Sequence, residues 1–124
     1  MTTTVAILGA SENPERYANK AQTRLMEHNY RVLPVSPTGK TVLGVDGFRN
    51  LSEITEPVDT VTLYVGPKNL RPQLDDLLAL KPRRVIFNPG TEDQAMQETL
   101  EKAGIHVVEA CTLVLLSIDQ FDVA

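Results

Sequence analysis

Five short aliphatic and β-branched runs, each followed by a helix-patterned stretch, constrain this chain more than any other feature. They fall at 5–8, 31–35, 60–65, 84–87 and 105–108. Near-continuous apolar runs suit strands covered on both faces, as in parallel sheets. Strand–helix alternation builds a doubly wound α/β layer structure with right-handed crossovers. The expected fold is an α/β, doubly wound three-layer sandwich around a five-stranded, mainly parallel sheet. The 124 residues contain no repeat and no linker. One domain spanning 1–124 is expected, long enough to bury its own core.

The intervening segments carry helix signals. Asn13 is a candidate N-cap with Pro14 at the first helical position, followed by an apolar stripe of Tyr17, Ala21 and Leu25. Leu70, Leu74, Leu77 and Leu78 form a second helical face, with Pro72 in the first turn, where it is tolerated. Thr91-Glu92-Asp93-Gln94 has the form of a capping box leading to Ala95, Met96 and Leu100, and Gly104 is the expected stop. Residues 42–54 read as a loop with one helical turn near 51–54. Residues 113–116 read as a last short helix.

The formal net charge of −4 argues against a nucleic-acid surface, which needs a basic stripe. No apolar run approaches the roughly 18 residues of a membrane span. Met1-Thr2-Thr3-Thr4 lacks the parts of a signal peptide, and a single cysteine, Cys111, suits a reducing compartment. These features lead to the expectation of a cytoplasmic protein with no nucleic-acid or membrane partner.

In doubly wound sheets, ligands bind outside the carboxyl ends of the strands, at the switch point. Of the five segments that follow the strands, four are rich in small or polar residues with Gly or Pro. At Gly9-Ala10-Ser11, free amides at a helix start attract a phosphate. Arg16 and Lys20 stand one and two turns on and add positive charge; a tight turn and two solvated cations are the plainer account. The dinucleotide fingerprint is absent, because Ser11 and Pro14 occupy the places of its second and third glycines. No carboxylate follows the second strand to hold a ribose diol. Ser36, Pro37, Thr38 and Lys40 stand there instead, and they suit a phosphorylated ribose. This disfavours NAD and leaves coenzyme A (CoA) and NADP. An ordinary turn explains Ser36-Pro37-Thr38-Gly39 equally well.

Several segments together carry a family resemblance. They are Gly9-Ala10-Ser11, the run from Tyr30 to Pro37, Leu43-Gly44, Val58-Asp59-Thr60-Val61 and Asn88-Pro89-Gly90-Thr91-Glu92. In order and spacing the chain resembles the small stand-alone CoA-binding domain proteins of Rossmann type. These are similar to the N-terminal domain of the succinyl-CoA synthetase α subunit. The resemblance implies that Gly9, Ala10 and Ser11 contact the CoA pyrophosphate and that Arg16 supplies a basic contact. It implies Ser36 and Pro37 beside the adenosine ribose and Lys40 near its 3′-phosphate. Val65, Pro67 and Asn69 would border the adenine or pantetheine path, and Asn88, Gly90 and Thr91 the pantetheine arm. Two departures mark this chain: Ser36 stands where many relatives have Asn, and Phe87-Asn88-Pro89 where many have an aromatic and a glutamine.

Catalytic candidates are sparse. His28, near a helix end, and His106, inside a strand, both suit structural roles. Glu92 and Asp93 suit a helix start, although Glu92 also has the chemistry to polarise a thioester. The two histidines and one cysteine are scattered, not at metal-ligand spacing. Cys111 follows the fifth strand and reads as buried packing, with a mixed disulfide to the CoA thiol as the minority reading. The leading expectation is a binding module without catalysis of its own, holding CoA or an acyl-CoA for sensing, storage or presentation. The alternatives are an NADP-binding reductase subunit, the CoA-binding half of an acyl-CoA ligase, and a decayed site kept for assembly. Partners consistent with these readings are a homodimer mate or an ATP-binding chain.

Overall fold

The computed structural model describes residues 2–124; Met1, which opens the N-terminal run discussed above, lies outside them. Five strands form one sheet: β1 (Thr4–Leu8), β2 (Arg31–Val35), β3 (Thr60–Leu63), β4 (Arg84–Phe87) and β5 (His106–Glu109). Their order is β2-β1-β3-β4-β5, and every pairing is parallel. The chain therefore starts in the interior, moves outward to β2, then crosses back over β1 to β3. That reversal places the switch point between β1 and β3.

Side-chain alternation on the strands separates two cores. Val5, Ile7, Val32 and Ile86 face α1 (Tyr17–Glu27) and the last helix, α5 (Thr112–Ser117), where they meet Leu25, Leu116 and Phe121. Ala6, Leu8, Leu33, Val61, Leu63, Val85 and Phe87 face the other way. They pack on Leu70 of α2 (Pro67–Leu70), Leu77 of α3 (Leu74–Leu80), and Met96 and Leu100 of α4 (Gln94–Lys102). The sheet thus lies between two helical layers, as expected.

The helix boundaries correct several expectations. α1 begins at Tyr17, with Arg16 in extended geometry at the N-cap. Asn13 instead closes a turn before it, its Oδ1 accepting from the Glu15 amide at 2.9 Å and its carbonyl from the Arg16 amide at 3.0 Å. The inner stripe of α1 is Ala18, Ala21, Gln22 and Leu25, so Tyr17 lies outside it and is 69% exposed. Pro72 does not open a helix. It lies in a 3₁₀ turn, Arg71–Gln73, that separates α2 from α3. Pro67 opens α2 instead, where its missing N–H costs nothing. The cap of α4 is Asp93, whose carboxylate accepts from the Met96 amide at 3.0 Å; Thr91 is not the cap, and Ala95 is exposed.

Residues 42–54 are more ordered than expected. Phe48 runs parallel beside β2, level with Val35. Its amide donates to the Pro34 carbonyl and its carbonyl accepts from the Ser36 amide, both at 2.9 Å. The expected helical turn follows as a 3₁₀ turn, Leu51–Glu53.

At the opposite border of the interior, Arg84 is only 1% exposed. A buried guanidinium needs acceptors. It donates to the Thr60 hydroxyl at 3.0 Å and to the carbonyls of Phe121 and Ala124, and lies 4.4 Å over the Phe121 ring.

Candidate functional site at the switch point

A cleft of about 580 Å³ opens at the carboxyl ends of β2, β1 and β3. Its floor is the end of β1 with Gly9, Ala10 and Ser11. One wall is the start of α1 with Arg16, Tyr17 and Ala18. Ser36 and Pro37 close the β2 side, and Tyr64, Val65, Asn69 and Gln73 the β3 side.

Gly9 is required by geometry. Its φ is +95°, and an added Cβ would lie 2.8 Å from the Tyr64 carbonyl oxygen and from Val65 Cγ1. Only glycine combines that backbone conformation with such a close approach. The amides of Gly9 and Ala10 are not free, however. Both donate to the Val35 carbonyl, at 2.9 and 3.0 Å, stitching the loop to β2. The expected anion-binding donors therefore shift along the chain. Among the described residues, the amides of Ser11, Tyr17, Ala18 and Asn19 make no hydrogen bond to the protein. The last three form the uncapped first turn of α1, where the helix dipole favours an anion. The Arg16 guanidinium stands beside them, exposed and without a carboxylate partner among the described residues.

Three residues that carried no sequence signal for the site stand at or beside the same cleft. Asn19 is buried, and its Nδ2 donates to the Ser11 carbonyl at 2.9 Å, locking the loop onto the helix. In sequence it is only a polar residue beside the inner stripe of α1. Tyr64 presents a hydroxyl that is shielded from solvent yet has no hydrogen-bond partner among the described residues. Burial is the main cause that pushes its phenol up to about 12; the Cys111 thiol adds to this, and the nearby Thr112 and Thr62 hydroxyls offset it only in part. Tyr64 is thus a neutral donor at physiological pH. Gln73 Oε1, on the other flank, is likewise buried and unpartnered. Buried polar atoms without partners are uncommon in folded proteins. Both side chains line the cleft, but these two oxygens are shielded from it; the groups the cleft offers a ligand are the free amides, the Arg16 guanidinium and the Ser36 and Asn69 side chains.

Eight of the candidate residues line this cleft: Gly9, Ala10, Ser11, Arg16, Ser36, Pro37, Val65 and Asn69. The others lie elsewhere. Lys20 points away, its ammonium 5.4 Å from the Tyr17 ring centroid and its stem in a separate groove with Pro14 and Thr23. Lys40 is 3.3 Å from the Glu12 carboxylate. Pro67 is at the first position of α2 and is not part of the cleft lining. Asn88 is only 2% exposed and fully engaged. Its Nδ2 donates to the Thr62 hydroxyl and the Leu63 carbonyl at 2.6 and 2.8 Å, and its Oδ1 accepts from the Thr112 amide at 2.9 Å. Thr91 donates both its amide and its hydroxyl to the Asn88 carbonyl. Gly90 gives its amide to Glu92 at 2.8 Å. The β4 edge is therefore closed by internal hydrogen bonds. His28 Nδ1 lies 2.9 Å from the Arg24 carbonyl at the end of α1, and Cys111 is the N-cap of α5. Among the described residues there is no cluster of metal-ligating side chains and no helix long and apolar enough to cross a membrane.

An all-parallel, doubly wound sheet with a polar cleft at its switch point defines a Rossmann-like domain. A family model described as a CoA binding domain matches residues 3–117, and the chain belongs to that family. A solved structure of an uncharacterized protein superposes with a TM-score of 0.91 at 43% identity, over 98% of this chain and 99% of its own. The uncharacterized protein YneT of Bacillus subtilis is 25% identical over 108 residues, 86% of this chain and 80% of its own length. The same fold occurs in acetyl-coenzyme A synthetase 1 of Ca. Korarchaeum cryptofilum, with a TM-score of 0.76 at 18% identity, over 87% of this chain and 25% of that one.

Proposed function

We propose that the switch-point cleft holds coenzyme A or an acyl-CoA and that the chain acts as a binding module without a catalytic step of its own. One observation carries this reading: the acceptorless amides of Ser11, Tyr17 and Ala18 and the unpaired Arg16 guanidinium belong to residues that line one cleft, with the free Asn19 amide next in the same helical turn. The pyrophosphate would lie on the amides of Ser11, Tyr17, Ala18 and Asn19, with Arg16 as a charge-assisted donor. The adenosine ribose would lie against Ser36 and Pro37. Asn69 and the side chains of Val65 and Gln73 would meet the uncharged parts. The cleft lining holds no carboxylate, imidazole or thiol, which supports a holding role. Sensing, storage and presentation to a partner all require only that.

A second reading has its own support. The fold neighbour from Ca. Korarchaeum is named as a synthetase, and this chain matches about a quarter of it. On that reading the chain is the CoA-holding half of an acyl-CoA ligase and works with a separate ATP-binding chain. Calorimetric titration with CoA, dephospho-CoA and NADP tests the first reading. CoA should bind, and NADP should not compete. Preference for NADP, or no heat with CoA, would overturn it. Adding ATP, a carboxylic acid and candidate partner chains tests the second, which requires acyl-CoA formation only when the partner is present.

A further inference from the structure

The ribose side of the cleft lacks the cation assigned to it from sequence, and another cation stands nearby. Lys40 already has a carboxylate partner, Glu12 at 3.3 Å, in an exposed ion pair. Arg49 follows Phe48, which runs parallel to β2 and level with Val35. One residue further on, Arg49 therefore stands past the carboxyl end of β2, alongside Ser36 and the turn that follows it. Its side chain crosses over that turn: a Cβ added to Gly39 would lie 2.8 Å from Arg49 Cγ and 3.7 Å from its Nε. Gly39 has a φ of +63° and donates its amide to the Ser36 carbonyl at 3.0 Å. Only a bare glycine there leaves room for the arginine stem beside Ser36.

The guanidinium is surplus charge. The Arg49 backbone amide donates to the Glu53 carboxylate at 2.6 Å, which fixes the segment. The guanidinium itself makes no hydrogen bond and no ion pair among the described residues. The hydroxyls of Ser36 and Thr38, 3.4 Å apart, lie on the same turn. A free guanidinium carried over the turn that also holds two hydroxyls supplies donors of the kind a phosphate monoester takes, for which the planar fork of arginine is well suited.

We propose that Arg49, not Lys40, receives the phosphate carried on the ribose of the ligand, and that Gly39 is bare so that the arginine can reach it. This rests on the CoA reading above. The test is calorimetric titration of wild type, Arg49→Ala and Lys40→Ala with CoA and with dephospho-CoA. Arg49 is exposed, so the variant is expected to fold, and its melting curve verifies this. Wild type should prefer CoA. Arg49→Ala should lose roughly ten-fold in CoA affinity, the worth of one charge-assisted contact, with dephospho-CoA unchanged. Lys40→Ala should keep the preference. If Arg49→Ala keeps it too, or Lys40→Ala loses it as fully, the assignment of Arg49 is overturned while the CoA site stands. If wild type binds neither ligand, the CoA reading itself falls, and the role of Arg49 with it.

Discussion

The carboxyl edge of the sheet has two unlike halves. Over β2, β1 and β3 it is open, with amides, a guanidinium and two buried polar atoms left without protein partners. Over β4 and β5 it is sealed, because Asn88 joins β3 to the start of α5 and Thr91 closes back on Asn88. Both halves follow short parallel strands, and both have Gly- or Pro-containing loops. They differ in the direction of travel. Where the chain reverses across β1, the loops after β1 and β3 diverge and a cleft opens between them. From β3 to β5 successive crossovers run the same way, the loops lie side by side, and polar side chains can bridge them. Loop composition marks where backbone can come close to something. Topology decides whether that something is a ligand or the neighbouring loop.

Substitutions in each half test the contrast. The largest effect is expected at the hinge of the open half. Gly9→Ala forces a β-carbon against the Tyr64 carbonyl at a left-handed φ, and should cost about 3 kcal/mol or more of stability in urea melts. Next is Asn88→Ala in the sealed half. It strands the Thr112 amide and the Leu63 carbonyl in the interior and should cost about 2–3 kcal/mol. CoA affinity of the folded variant should be unchanged; a parallel loss of affinity would make the sealed half part of the site and break the comparison.

Arg16→Ala should do the reverse. Its melting temperature should stay at the wild-type value, while CoA binding weakens by roughly ten-fold. Unchanged affinity would remove the phosphate role from the open half. The smallest effect lies at the far edge of the sheet and serves as a control. Burial alone would raise the Asp59 carboxyl, but hydrogen bonds from Arg83 and Thr60 outweigh it and hold it below its ordinary value. Its contribution is therefore present above the usual carboxylate range, about pH 4, and lost as pH falls through the lowered folded value. The Arg83–Asp59 pair is partly exposed, so the loss should be under about 1 kcal/mol. Urea melts of wild type and Asp59→Asn at pH 7 and pH 3 should differ more at the higher pH.

What could be read in the sequence follows from how local each signal is. The strands, the tight turn at Gly9, the Ser36-Pro37 edge and the short 3₁₀ turn near Leu51 are written in a few consecutive residues, and the structure has all of them. Arg16 lines the cleft because it stands at the N-cap of the helix that follows β1. Where the structure departs from those signals, the partners are distant in sequence. Lys40 reads as a ligand contact, and the structure gives it a second claimant in Glu12 on another loop. Asn88 and Thr91 were assigned to the same ligand, yet their partners are Thr62, Leu63 and Thr112. The free amides moved from Gly9 and Ala10 to the first turn of α1 because Val35, on a neighbouring strand, claims the first two. Tyr17 shares an i, i+4 count with the buried Ala21 and Leu25, but at the helix start Ala18, three residues before Ala21, takes the inner face instead. Tyr64 and Gln73 carried no pattern, because an unpartnered atom is a property of the folded surroundings.

The segment through Phe48 has a consequence of a different kind. By pairing with Pro34 and Ser36 it covers the carboxyl end of the outer border of β2, which shortens the ladder open to a stray strand. The border of β5 has no such cover. It is defended by brevity, with four residues, and by the exposed His106 and Glu109 at its two ends. Resistance to misassembly is thus built differently on the two sides: by a strand-like brace on one, and by charge and shortness on the other. Unfolding of the segment through Phe48 would leave the protein with two open borders, and aggregation should rise before the cleft or the core is lost.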